Sequence, residues 1–179
     1  IVGVRKFGMA SGARARGFEM HLLGMDPYVT TEQAVLHGVE LVDLETLLHR
    51  SDAITVHVPL SRATRGLIGA KAIAQLRPGA FILNVARGGI IDEQAMLDNL
   101  NSGKLVGGAF DVWSEEPPAT ETLKHLIGHK NMVVTPHLGA NTFEAQVNAA
   151  IDVSKEIIHY LDDQPLENAG NIPRFALAL

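Results

Sequence analysis

Cysteine is absent from the 179 residues, which removes both a disulfide framework and a thiolate metal site. Clustered cations are missing as well: 15 Lys and Arg stand against 20 Asp and Glu, a net charge of −5 with no basic run. Phosphate neutralisation needs such clusters, so no nucleic-acid partner is expected. No apolar run approaches the roughly 18 residues of a membrane span and no signal peptide is visible, so a soluble, cytoplasmic protein with no membrane partner is expected. An initiator Met is also lacking. The chain opens on Ile1-Val2-Gly3-Val4, already inside what reads as a strand, and looks like a piece of a longer protein.

What is present is apolar material, 46% of the chain, enough for the core of one domain. Short apolar runs alternate with helical periodicity. Strands are expected at Ile1 to Val4, Met20 to Met25, Val39 to Val42, Ala53 to Val58, Phe81 to Val85, Leu105 to Val112 and Met132 to Thr135. Helices are expected from Gly8 to about Gly17, from a cap at Thr31 to near Gly38, from a cap at Asp43 to His49, from Gly69 to Leu76, and from Asp92 to Asn101 with Gly103 ending it. Asn141 with Glu144 resembles a capping box opening a long last helix, whose Val147, Ala150, Ile151, Ser154, Ile158 and Leu161 share one face. Strands apolar on both faces, each followed by a helix, describe a doubly wound α/β fold with a parallel sheet. The domain is expected over 1–162, with 163–179 as a tail returning toward a substrate domain outside this sequence.

The chain is organised around Phe81-Ile-Leu-Asn-Val-Ala-Arg-Gly-Gly-Ile-Ile-Asp-Glu93: a buried strand, a sharp Gly88-Gly89 turn and a helix capped by Asp92. Arg87 stands where a strand's carboxyl end meets a loop, which is where open α/β sheets bind ligands. So apolar a strand has no structural need for an arginine there. Glu116, in Asp111-Val-Trp-Ser-Glu-Glu-Pro-Pro118, and His137, in Thr135-Pro-His-Leu-Gly-Ala140, follow the next two strands on the same edge. Reduction of a 2-oxo acid needs a forked cation for the carboxylate, a proton donor for the carbonyl oxygen and a group tuning that donor, and these three residues offer that set. The plainer alternatives are a surface histidine, one of eight, and a solvated loop acid beside Glu115. His125 and His129 lie four apart without an accompanying acid pattern, so no metal is expected. No serine nucleophile elbow occurs.

At the amino end, Gly3-x-x-x-x-Gly8 follows the first strand, and Asp26 closes the second, 23 residues after Gly3. That is the layout of a dinucleotide site, in which the acid takes the ribose hydroxyls and favours NAD over NADP. The pyrophosphate would sit at a helix amino terminus beginning at Gly8. Arg5 occupies the place of the middle glycine, and it either crowds the phosphates or swings out to pair with them. Gly12 weakens the helix further. Asp26 also reads as a simple turn residue before Pro27.

Asn84-Val-Ala-Arg-Gly-Gly-Ile-Ile-Asp-Glu93, Phe110-Asp-Val-Trp-Ser-Glu-Glu-Pro-Pro118, Thr135-Pro-His-Leu-Gly-Ala140 and Thr55-Val-His-Val-Pro-Leu60 together resemble the D-isomer-specific 2-hydroxyacid dehydrogenases. The likeness is strongest to the branch acting on 3-phosphoglycerate. It implies a Rossmann-type NAD-binding domain in which Arg87 binds substrate, His137 is the acid/base and Glu116 its partner. It places NAD against Gly3, Lys6, Phe7 and Gly8, the ribose acid Asp26, Val58-Pro59, Val85-Ala86, Asp111 and Gly139, and it implies a homodimer formed through this domain. A corepressor-like protein of the same family that senses NAD(H) without turnover is the alternative, and a module that has lost its ligand through Arg5 is a third.

Overall fold

Val2 is where two sheets meet. In the computed structural model, which describes residues 1–166, Val2 bridges in parallel to Met25 on one side and to Val56 on the other. The expected first strand is thus reduced to one bridging residue. Its ladder is nevertheless real: the Val2 amide donates to the Thr55 carbonyl and the His57 amide to the Val2 carbonyl, at 2.9 and 2.7 Å. On one side lie β1 (Leu22–Gly24) and β2 (Val39–Leu41), and on the other β3 (Ala53–Val56), β4 (Ala80–Asn84), β5 (Leu105–Phe110) and β6 (Met132–Val134), every pairing parallel. The chain therefore runs outward from Val2 to β2, returns to β3 and continues to β6. This is the doubly wound order, and its switch point lies at the carboxyl end of Val2.

The helices are α1 (Lys6–Arg16), α2 (Thr31–Leu36), α3 (Leu44–Arg50), α4 (Ala70–Gln75), α5 (Glu93–Asn101), α6 (Glu121–Ile127) and α7 (Phe143–Leu161). Most open on a side-chain cap. Asp43 and Asp92 accept the amides of Thr46 and Ala95, as their positions predict. Two caps are displaced by one residue. Thr30, not Thr31, caps α2 in a reciprocal box with Gln33, and Thr142, not Asn141, caps α7. Helix α6 was not anticipated. Thr120 caps it within a polar stretch where only Leu123 and Leu126 are buried.

Helices α3 to α6 lie side by side, and the main core collects beneath them around Leu47, Ile54, Ile73, Ile82, Met96, Phe110 and Trp113. A smaller core of Ile1, Val4, Leu22, Ala34 and Val39 belongs to the β1–β2 side. Burial alternates along β3 and β4: Ile54, Val56 and Ile82 are buried while Phe81 is half exposed within this unit. The chain divides into two compact units, Ile1–His137 and a second beginning at Leu138. The second contains α7, and by itself it buries none of that helix's side chains. The expected domain boundary at 162 falls within it, and residues 167–179 of the expected tail lie outside the described residues. Among the described residues no helix is long and apolar enough to cross a membrane, and no group of three His, Asp or Glu could hold a metal ion.

Candidate active site

Strands β4, β5 and β6 end on the same edge, and the three candidate residues follow them. Asn84, the last residue of β4, is an amide buried to 1% exposure, so its polar atoms need partners. Its Nδ2 donates to the Arg87 carbonyl at 3.0 Å, its Oδ1 accepts the Ala86 amide at 3.2 Å, and its own carbonyl accepts the Asp111 amide at 3.0 Å. Asn84 therefore folds the turn that presents Arg87 and ties it to β5. It was not among the expected site residues, although an amide inside an apolar strand was the available signal. The Arg87 guanidinium donates to the Ala86 carbonyl at 2.6 Å and its side chain reaches solvent.

Behind Arg87, Gly88 packs on the loop that follows β5. A Cβ there would stand 1.8 Å from the Trp113 carbonyl oxygen, so only glycine lets the two loops touch. Trp113, the residue after the expected strand Leu105 to Val112, is buried, tilted at 46° against Phe110 with ring centroids 5.5 Å apart. Its amide donates to Glu116 Oε1 at 3.0 Å, and Glu116 Oε2 meets His137 Nδ1 at 2.7 Å. The hydrogen bond to His137, then that from Trp113, hold the Glu116 carboxyl below its ordinary pKa, so it stays ionised. An ionised acceptor on Nδ1 makes that nitrogen the N–H, leaving Nε2 to exchange a proton.

His137 itself has φ +55, a left-handed conformation unusual outside glycine. Two residues earlier, the Thr135 hydroxyl donates to the buried carboxylate of Asp111, linking the ends of β5 and β6. The structure thus joins Glu116 and His137 directly and sets Arg87 on the adjoining loop. It places Asp111 beneath them as a link between strands.

Gly3, Gly8 and Asp26 lie at the switch point. Helix α1 begins at Lys6, two residues earlier than expected, so Gly8 lies inside its first turn. The glycines are required by contact: a Cβ on Gly8 would lie 2.0 Å from the Gly3 carbonyl oxygen, and Gly3, at φ +91, abuts Val58 and the His57 carbonyl. Gly12 is buried against Ile1 and Leu22, so its role is close helix–strand packing and not simply a weakened helix. Asp26 accepts the Val4 amide on Oδ2 and the Tyr28 amide on Oδ1, both at 3.0 Å, which fixes it at the edge and leaves lone pairs for sugar hydroxyls. Arg5 takes an extended backbone that any residue adopts, and its exposed guanidinium has no partner among the described residues.

Lys6 and Phe7 are exposed on the same turn, Val58 is half-buried against Gly3, Pro59 is exposed, and Val85 and Ala86 lead into Arg87. His57 bonds to the Thr55 hydroxyl at 3.0 Å, and burial pushes its pKa down. It is a structural imidazole. Gly139 belongs to the second unit. A glycine-lined turn at the switch point with an anchored carboxylate fits a dinucleotide.

Comparison with known proteins agrees with this geometry. The family described as D-isomer specific 2-hydroxyacid dehydrogenase, NAD binding domain, matches residues 1–139. The chain is 39% identical over 173 residues to the D-3-phosphoglycerate dehydrogenase of Archaeoglobus fulgidus, covering 97% of this chain and 32% of that protein. To the Bacillus subtilis protein of the same name it is 42% identical over 173 residues, with the same coverage. It thus spans about a third of the length of these relatives. Among solved structures, the apo D-mandelate dehydrogenase of Rhodotorula graminis superposes with a TM-score of 0.87 at 32% identity, over 96% of this chain and 50% of that one. The D-lactate dehydrogenase of Treponema pallidum does so at 0.80 and 30% identity, over 92% and 53%.

Proposed function

The chain belongs to the D-isomer-specific 2-hydroxyacid dehydrogenases, as their NAD-binding domain, and from that premise we propose that it serves the interconversion of a D-2-hydroxy acid and its 2-oxo acid. Bound NAD would supply the hydride acceptor, and NADH the donor. Arg87 forks onto the substrate carboxylate and fixes the C2 carbon beside Val85-Ala86. In oxidation, Nε2 of neutral His137 takes the hydroxyl proton as the C2 hydride departs and the carbonyl forms. In reduction, the imidazolium returns that proton to the carbonyl oxygen. Glu116 holds Nδ1 as a donor throughout and offsets the imidazolium charge. Gly3, Lys6, Phe7, Gly8, Asp26, Val58, Pro59, Asp111 and Gly139 would hold the dinucleotide, and the Asp26 carboxylate would repel a 2′-phosphate.

The observation that carries this reading is the 2.7 Å contact of His137 with an ionised Glu116, one loop away from Arg87. The names of the relatives at 39–42% identity support 3-phosphoglycerate as substrate and do not favour the sensing alternative. A homodimer, which the family resemblance implies, and a cytoplasmic setting complete the proposal; light scattering and cell fractionation check them. The test is Arg87→Lys in the enzyme carrying this domain. Loss of the fork should lower kcat/KM for the 2-oxo acid by about 10²-fold, an orientation effect, and a value near wild type would sink the assignment.

A further inference from the structure

Glu93 is the first residue of α5, and an acid in a first helical turn ordinarily needs no explanation beyond the helix dipole. Capping is not its task either, because Asp92 already accepts the Ala95 amide at 3.0 Å. Both Glu93 oxygens instead turn across to the loop after β5. Oε1 accepts the Ser114 amide at 2.8 Å, and Oε2 accepts the Ser114 hydroxyl.

Ser114 adjoins Trp113, whose amide holds Glu116, which holds His137. The loop has little else to fix it. Ser114, Glu115 and Glu116 are exposed, and among the described residues Ser114 to Ala119 make no backbone–backbone hydrogen bond outside regular elements. Trp113 anchors the loop's near end in the core, while the Glu93 clamp sets the direction in which the chain leaves it.

We propose that Glu93, through its two-pronged grip on Ser114, is the positioning residue that aims Glu116 at His137. The loop after β5 is then held by the helix that follows Arg87, so one segment, Asn84 to Glu93, both presents Arg87 and aligns the acid/base pair. This inference rests on reading Glu116 and His137 as the catalytic pair. Glu93 touches neither and acts only through the loop.

The test reads the hydrogen bond itself. In the chain labelled with ¹⁵N-histidine, the His137 Nδ1–H should resonate far downfield because of its short bond to Glu116, and His137→Asn assigns the signal by deleting it. Glu93→Gln should move this resonance upfield or broaden it, Ser114→Ala should do so less, and Ser114→Thr, which keeps the hydroxyl, should restore it. Folded Glu93→Gln and Ser114→Ala variants with the resonance unmoved would overturn the proposal. If Glu93→Gln does not fold, Ser114→Ala decides. In the enzyme carrying this domain, Glu93→Gln should lower kcat about tenfold with KM for the 2-oxo acid little changed, the mark of weakened acid–base chemistry. A moved resonance with unchanged kcat would support the positioning role and count against the catalytic reading of the pair.

Discussion

Gly88 and Gly89 are neighbours in one turn, but the structure requires glycine at each for a different reason, and replacing each by alanine separates the two. At Gly88 the obstacle is backbone. The added Cβ would lie 1.8 Å from the Trp113 carbonyl oxygen and 2.5 Å from the Ser114 amide nitrogen, whereas real Cβ atoms stay beyond 3.0 Å. Neither neighbour is a flexible side chain, so the Arg87 turn and the Trp113 loop must part by more than an ångström. Overpacking of this kind costs about 3 kcal/mol. At Gly89 the obstacle is conformational. Its φ is +77, a cost of about 1–2 kcal/mol for alanine, and the nearest atom is the mobile Arg65 Nη1 at 3.4 Å.

Each substitution regains roughly 0.4–1 kcal/mol by restricting the unfolded chain. Gly88→Ala should therefore lose about 2–3 kcal/mol and Gly89→Ala under about 1.5 kcal/mol. Urea unfolding followed by Trp113, the only tryptophan, measures both as shifts in midpoint at constant slope. Activity should diverge more sharply, because an ångström of separation between Arg87 and Glu116 costs about 10²-fold in rate. A Gly88→Ala variant as stable as Gly89→Ala would refute the contact between the two loops.

Glu116→Gln should alter activity without altering the fold. The pair is part-exposed, with side-chain exposures of 48% and 37% for His137 and Glu116, so its worth to stability is under about 1 kcal/mol. That small contribution has a definite sign. The Glu116 pKa is lowered on folding, so its stabilisation is present above the ordinary value of 4.5 and is lost as pH falls through the lower folded value. Comparative melts of wild type and Glu116→Gln should converge only below pH 4.5. A gap persisting in stronger acid would contradict the cause assigned to the shift. Arg5→Gly tests whether Arg5 pairs with the pyrophosphate or crowds it. As an exposed cation it should contribute about 0.2–1 kcal/mol, so its loss should weaken NADH binding up to about fivefold at low salt and not at all in 1 M salt, where screening is nearly complete. Tighter binding by Arg5→Gly would instead mean crowding.

The parallel sheet and the placing of Arg87, Glu116 and His137 after strand ends were legible because their signals are local: apolar runs of strand length, Asp43 and Asp92 one residue before helical periodicity, and motifs placed at strand ends. Helix α6 escaped because only Leu123 and Leu126 are buried within it, too few to set a period. The first strand shrank to Val2 because the chain turns at Gly3 and enters α1 at Lys6. Asn84 and Glu93 were visible as residues but not as positioning groups, since their partners are set by the tertiary register of β4 on β5. The burial of Trp113 was not legible, because it comes from Phe110 and the core, not from its neighbours in sequence. The extended backbone of Arg5, with its exposed side chain, could not be read from a glycine motif that Arg5 itself interrupts.

The central claim is that His137 moves the proton while other residues hold the dinucleotide. The most direct measurement is single-turnover hydride transfer from NADH to a 2-oxo acid in the enzyme carrying this domain, wild type against His137→Asn, alongside NADH affinity. Asparagine tolerates the left-handed backbone at this position, so the substitution removes the imidazole and little else. Transfer should slow by about 10²–10⁴-fold while NADH affinity stays within about twofold. A variant that transfers hydride at nearly the wild-type rate would contradict the account.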